Sequence, residues 1–450
     1  MGQIDAVFKA YDVRGLTPEQ LDAELCGRIG AAFARFAADT DGATRILVAR
    51  DMRPTGPDLV AAFTEGALGQ GLDVVDLGMA STDVAYYAAG HLDAPAAMFT
   101  ASHNPAEYNG IKMCLSAAKP IGADTGLGDI KAMAAAGVEP AASTGSRSEL
   151  DLLDAYADHV RAFVDVAALR PLKIVADTAN GMGGLVVPAV FEGLPFDVEV
   201  MYAELDGTFP NHPADPINPA NQVDLKQRVL EVGADVGLAF DGDADRVFLV
   251  DEKGEGLSGS TTTAIVAAGV LAKEPGATIL YNCICSKAVA EVVRERGGTP
   301  VRTRVGHSFI KQVMAETGAA FGGEHSAHYY FRQNFRADSG AIAALVVLEQ
   351  LGLSGQSLSE LRRPFERYAA SGEINFEVAS PPAVVERIAD AYASAELDRL
   401  DGLTVDLGDW WFNVRASNTE PLLRLNLEAA TPAEVDAHVA DLRALIEKKD

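Results

Sequence analysis

Short apolar runs recur along the chain, each bounded by polar or turn residues: Ile46–Ala49, Val74–Leu77, Ala96–Phe99, Ile174–Ala176, Val236–Phe240, Val247–Val250 and Thr278–Tyr281. Runs of this length without polar alternation predict buried strands. Alanine-rich stretches with helical spacing lie between them, for example Asp58–Leu68 and Thr261–Leu271. Strand and helix alternating on this scale predict layered α/β domains with mainly parallel sheets. Near the start, Thr17-Pro18-Glu19-Gln20 offers a cap residue, a first-turn proline and a glutamine three positions on, ahead of Leu21, Leu25, Ile29 and Phe33. A helix is expected to begin there.

Beyond Ser371-Gly372 the pattern changes. Strands around Ile374–Val378 and Leu422–Leu427 precede a last helix capped by Thr431 with Glu434 and carrying Val435, Val439, Leu442 and Ile446. That predicts a smaller α+β domain. The polar stretch Glu139–Glu149 and the turn Asp251–Gly256 mark two further boundaries, so the expected segments are 1–148, 149–253, 254–370 and 371–450. A chain of 450 residues fits three or four domains at about 100 to 200 residues each.

Charge narrows the choice of partners. A formal charge of −27 repels a phosphate backbone, so nucleic acid is not an expected partner, and any phosphate site must gather its own arginines and lysines. The sequence has no basic-then-apolar leader pattern and no run of about 18 apolar residues, so neither export nor membrane spanning is expected. Four scattered cysteines, Cys26, Cys114, Cys283 and Cys285, make neither a disulfide framework nor a zinc site. The expected location is the cytoplasm.

The densest chemistry lies in Asp241-Gly242-Asp243-Ala244-Asp245-Arg246, between two apolar runs. In an extended turn its three aspartates project to one side. Two unit charges about 4 Å apart interact by roughly 4 kcal/mol at an effective dielectric of 20, so a hard divalent cation is the natural way to neutralise the set. Magnesium is the expected ion. Counted as a calcium loop from Asp241, the ligand positions would be Asp241, Asp243, Asp245 and Glu252, but Arg246 stands where such a loop needs glycine and the flanks read as strands. A solvated acidic turn is the remaining alternative. Thr100-Ala101-Ser102-His103-Asn104-Pro105 follows another apolar run and would present a serine hydroxyl at the carboxyl edge of a sheet. Alone, a Ser-His neighbour pair says little about chemistry.

Together with Gly323-Glu324-His325-Ser326-Ala327-His328 and Arg415-Ala416-Ser417-Asn418-Thr419-Glu420-Pro421, in this order, these motifs make the chain similar to the α-D-phosphohexomutases. The likeness runs from Tyr11-Asp12-Val13-Arg14-Gly15 to the last domain and includes Tyr108-Asn109-Gly110-Ile111-Lys112, Pro210-Asn211-His212-Pro213 and Val305-Gly306-His307-Ser308. It implies three related mixed α/β domains and a C-terminal α+β, TATA-binding-protein-like domain around a central cleft. The four segments would then bear, in turn, the phosphoserine, the metal, the sugar-recognition loop and a phosphate clasp.

By the same resemblance, Ser102 would carry the phosphoryl group, and Asp241, Asp243 and Asp245 would hold magnesium with an oxygen of that phosphoserine. Arg14, Lys112 and Arg246 would balance phosphate charge; His103, Lys112, His307 and His328 are candidates for proton transfer. Tyr11, Glu324 and Ser326 would meet the substrate, and Arg415, Ser417, Asn418 and Thr419 the phosphate that is not transferred. A hexose 1-phosphate would become the 6-phosphate through a hexose 1,6-bisphosphate, which also serves as activator. The expected partners are phosphorylated hexoses, and the expected state a monomer or weak homodimer.

The sugar loop reads G-E-H-S-A-H where the commoner family pattern is G-E-M-S-G-H. Its serine is closer to mannose- and glucose-phosphate mutases than to glucosamine-phosphate mutases. A family lysine in the turn Tyr281–Lys287 is replaced by Ile284 unless Lys287 takes its part.

Overall fold

The computed structural model describes residues 3–416 and 422–448. The chain forms two compact units: one comprises the chain up to Ser258 together with Ser326–Leu361, the other Gly259–His325 together with the chain from Arg362 onward.

The first unit contains two sheets. The larger has strands β1 (Val13–Leu16), β2 (Arg45–Arg50), β3 (Asp73–Met79), β4 (Ala96–Phe99), β5 (Tyr108–Leu115), β6 (Lys119–Pro120) and β7 (Arg147–Glu149), in the order β1-β5-β4-β2-β3-β7 with β6 beside β5. Pairs among β4, β2, β3 and β7 are parallel, whereas β5 runs antiparallel to both neighbours. Helices Ala23–Asp41 and Gly56–Leu68 cover it through Leu25, Ile29, Phe33 and Phe63, the last packing edge-on against Phe99 of β4 at 5.3 Å. The second sheet has strands β8 (Leu172–Asp177), β9 (Phe196–Met201), β10 (Val236–Phe240) and β11 (Val247–Asp251), ordered β11-β10-β8-β9. The helix Gly340–Ser354, apolar almost all round, is correspondingly buried almost all round.

In the second unit, β12 (Thr278–Asn282) lies between and parallel to β13 (Thr299–Thr303) and β14 (Phe321–Gly323). The short β15 (Tyr329–Phe331) returns the chain to the first unit. The C-terminal sheet is antiparallel, in the order β16-β20-β19-β18-β17, with β16 Ala369–Glu377, β17 Glu396–Asp398, β18 Leu403–Asp406, β19 Trp411–Ala416 and β20 Leu422–Ala429. Helices Pro381–Ala391 and Pro432–Ile446 share its core through Val384, Ile388, Val435, Leu442 and Ile446. The final helix carries the expected Thr431/Glu434 capping box.

One expectation needs correction. The first long helix starts at Ala23 with Asp22 as its cap, because the amides of Gln20 and Leu21 are already spent on the Leu16 carbonyl in a preceding turn. Residues 147–149, at the end of the polar stretch, form β7, which adds to β3 as an exposed edge strand and can therefore be polar. Asp251–Gly256 is a tight return closed by Gly254 N–H to Asp251 O and by the bridge of Val250 with Gly256.

Candidate active site

The aspartate loop joins β10 to β11. It is a turn in which Ala244 takes a left-handed backbone with φ 62°. The three carboxylates still converge: Asp241, Asp243 and Asp245 are buried and offer ligand atoms within 4.8 Å of one another. Around them stand two cations, Arg246 buried and Lys112 half-buried. Lys112 Nζ donates to Asp243 Oδ2 and Asp245 Oδ2, both at 2.7 Å, and Arg246 Nε donates to Asp241 Oδ2 at 2.9 Å. Thr82, first residue of the helix Thr82–His91, holds the loop from behind, with its hydroxyl 2.5 Å from Asp243 Oδ2 and its amide 3.1 Å from the Asp243 carbonyl.

Burial opposes charge throughout this cluster. It pushes the Asp241 carboxyl well up against the pull of Arg246. Burial would also raise Asp243, but the Lys112 ammonium outweighs it and holds that carboxyl below the usual range. For Lys112, desolvation would lower the pKa, yet Asp243 and Asp245 keep it well above the ordinary lysine value. Asp243 Oδ1 and Asp245 Oδ1 are buried and accept no hydrogen bond among the described residues. Two such oxygens beside a third carboxylate fit a hard divalent cation with oxygen ligands.

Ser102 reaches the same place from the turn after β4. Its Oγ donates to Asp241 Oδ2 at 2.8 Å and lies 3.5 Å from the Arg246 Nη2 donor. The serine backbone is left-handed, φ 49°, a conformation that costs a non-glycine residue on the order of 1–3 kcal/mol. Its amide is tied to Thr100 Oγ1 at 2.9 Å. Gly242 makes the approach of the two loops possible, since a Cβ there would lie 2.5 Å from the Ser102 carbonyl oxygen. Arg14 braces the serine loop by donating to Asn104 Oδ1 at 2.6 Å while paired with Asp12. His103 Nδ1 faces the Arg246 guanidinium at 2.6 Å and so must be its acceptor. Burial, then the Arg246 and Arg14 cations, push His103 well below the usual imidazole range and keep the ring neutral.

Of the remaining expected residues, His328 joins this set: it bridges Arg246 through the backbone, its Nδ1 lies 3.1 Å from Ser326 Oγ, and its Nε2 is 3.8 Å from Asp245 Oδ1. Tyr11 lies half-buried in the bend before β1. In the second unit, Glu324 is buried after β14, where its Oε1 accepts from Asn282 Nδ2 at 3.2 Å and from the Gly306 amide at 3.0 Å. The latter bond ties it to the turn that opens the helix His307–Thr317, bringing His307 and Glu324 into one neighbourhood. Arg415 is the penultimate residue of β19, buried and paired with Glu373 at 2.9 Å. Lys287 Nζ is engaged by Asp406 at 2.7 Å and by the Gly408 carbonyl. Ser417, Asn418 and Thr419 fall outside the described residues.

Thr82 and Asn104 were not singled out from the sequence. Asn104 sits inside the serine motif and was open to notice, whereas Thr82 is 161 positions from the carboxylate it binds and had no local signal.

Fold and site together define a multidomain α/β phosphotransferase with a buried serine beside a carboxylate cluster. Family models of phosphoglucomutase/phosphomannomutase match successive parts of the chain: alpha/beta/alpha domain I at residues 5–138, domain II at 154–255, domain III at 258–368 and the C-terminal domain at 373–445. The chain belongs to the phosphoglucomutase/phosphomannomutase family, the phosphohexomutases named from its motifs. It is 42% identical over 434 residues to a phosphomannomutase of Salmonella montevideo, covering 94% of each chain. Against a protein named phosphohexose mutases from Xanthomonas campestris pv. campestris, identity is 41% over 429 residues, again covering 94% of each. A crystal structure of a phosphoglucomutase/phosphomannomutase family protein from Burkholderia thailandensis superposes with a TM-score of 0.90 at 32% identity, over 99% of this chain and 98% of that one. Among the described residues no single helix is long and apolar enough to cross a membrane.

Proposed function

We propose that this mutase interconverts hexose 1-phosphate and hexose 6-phosphate, with mannose or glucose as the sugar, through a phosphoserine at Ser102 and a hexose 1,6-bisphosphate intermediate. The observation that carries the reading is the Ser102 hydroxyl, bonded at 2.8 Å to Asp241 within a carboxylate set that still has two buried oxygens accepting no hydrogen bond among the described residues. A phosphatase or a sugar-phosphate sensor has less use for a serine carrier so placed. The names of the Salmonella and Xanthomonas relatives support the sugar class.

Asp241, Asp243, Asp245 and an oxygen of phosphorylated Ser102 would hold magnesium, which when bound supplies positive charge beside the transferred group. The chain's own groups supply the rest. Asp241 Oδ2 accepts the hydrogen bond of the Ser102 hydroxyl. Arg246, oriented by Asp241, and the Lys112 ammonium offer donors to phosphoryl oxygens. Lys112 is kept protonated, so it can donate hydrogen bonds but cannot act as a base. His103, neutral with Nδ1 occupied by Arg246, carries its proton on Nε2. His307 and His328 remain for proton exchange with sugar hydroxyls. Tyr11, Glu324 and Ser326 contact the sugar, and Arg415 with Ser417, Asn418 and Thr419 holds the non-transferred phosphate. Hexose 1,6-bisphosphate recharges the serine whenever an intermediate escapes before its second transfer.

Intact-mass and coupled-activity measurements on wild type and Ser102→Ala test this, with glucose 1-phosphate or mannose 1-phosphate, magnesium and a trace of the matching bisphosphate. A serine-dependent mass gain of one phosphate with turnover is expected. Sugar-phosphate binding with neither phosphorylation nor turnover would refute the carrier role.

A further inference from the structure

We propose that Arg53 is a positioning residue for the nucleophile loop, its guanidinium spending every N–H on that loop and on Asp51 so as to fix Ser102 in its left-handed conformation. The proposal rests on Ser102 being the phosphoryl carrier.

Arg53 follows β2, the strand beside β4 in the sheet, and its side chain is fully buried. One terminal nitrogen donates to the carbonyls of Pro105 at 2.7 Å and Tyr108 at 2.9 Å; the other donates to those of Ser102 at 2.9 Å and Asn104 at 2.7 Å. Nε donates to Asp51 Oδ2 at 3.2 Å, while Asp51 Oδ1 takes the Arg53 amide at 2.9 Å. All five donors of the planar fork are thus used. Four carbonyls between Ser102 and Tyr108 point inward at a single guanidinium and lose that donor together if it is removed, although the Pro105 carbonyl keeps the Tyr108 amide at 3.1 Å. A lysine brings three donors around one point and cannot span them. The guanidinium lies over the Phe209 ring, 5.2 Å from its centroid. Gly207 admits the Arg53 backbone, because a Cβ there would lie 2.6 Å from Arg53 Cα.

These bonds reach the backbone of the serine loop, so their loss should act on the attack geometry more than on sugar binding. A misplacement of about 1 Å costs on the order of 10²-fold in rate. Arg53→Ala and Arg53→Lys in the full chain are compared with wild type for melting temperature, for phosphate on Ser102 after exposure to glucose 1,6-bisphosphate, and for kcat and KM. Expected are folded variants with kcat reduced roughly 10²-fold, KM within about threefold, and partial recovery of Arg53→Ala by added guanidinium ion. A wild-type kcat in a folded variant, or a loss that only matches the unfolded fraction, overturns the proposal. If Arg53→Ala does not fold, Asp51→Asn decides, since it loosens the guanidinium without emptying its cavity: lower kcat at constant KM supports the proposal and unchanged kcat overturns it. Wild-type protein that takes up no phosphate on Ser102 overturns the carrier reading and this proposal with it, whereas labelled wild type with unaffected variants overturns the proposal alone.

Discussion

Replacing Thr82 by valine removes one hydroxyl behind the carboxylate cluster and leaves shape and volume almost unchanged. That hydroxyl donates to Asp243 Oδ2 at 2.5 Å, and a hydrogen bond to a charged group contributes about 1.5–3 kcal/mol. Lys112 donates to the same oxygen at 2.7 Å, so the carboxylate is not orphaned and the lower part of that range applies. A loss of about 1.5–2 kcal/mol corresponds to roughly 10- to 30-fold weaker binding, within the span expected for a group that orients a metal ligand. The Thr82 amide still holds the Asp243 carbonyl, so the loop stays in place and the effect falls on the carboxylate's direction. Titration of the purified protein with magnesium by calorimetry, or with manganese by electron paramagnetic resonance, reads the affinity without turnover. A Thr82→Val protein that melts like wild type and binds either ion within about twofold of it would refute the argument that Thr82 orients a metal-binding Asp243.

Two further expectations concern stability. Asp83 is buried among the hydroxyls of Ser81, Tyr156 and Ser339, and burial pushes its carboxyl up from 3.8 to about 7. The folded protein therefore keeps a proton that the unfolded chain releases, so this stabilising contribution is complete below pH 3.8 and is lost as pH rises to about 7. The loss is up to roughly 4 kcal/mol at 1.36 kcal/mol per pKa unit. Asp83→Asn should gain stability relative to wild type between pH 5 and pH 8 by denaturant melts, and an unchanged difference would refute the assignment. Thr431→Ala should cost about 1 kcal/mol by loss of the last helix's cap, read as a lower melting temperature with kcat unchanged.

Much of the layered fold was legible because its strands are continuous apolar runs: Ala96–Phe99 and Val236–Phe240 have the bounds that their composition predicts. The last helix was legible through its cap. Local signals failed where two competed, as at Thr17 and Asp22, and where an edge strand such as β7 carries no buried side chain to mark it. The aspartate triplet was readable as a charge problem, since three carboxylates in five residues demand a cation wherever they fold.

The chemical types at the site and their order along the chain were set by the sequence itself. Only the tertiary structure decided which of them meet. Ser102 and Asp241 are 139 positions apart, and Thr82 and Asp243 are 161 apart. Both contacts depend on sheet order and loop direction, including the left-handed turns at Ser102 and Ala244. A pattern of apolar positions fixes which face of an element is buried, but the distance between two loop side chains follows from how whole elements pack, which no local stretch encodes.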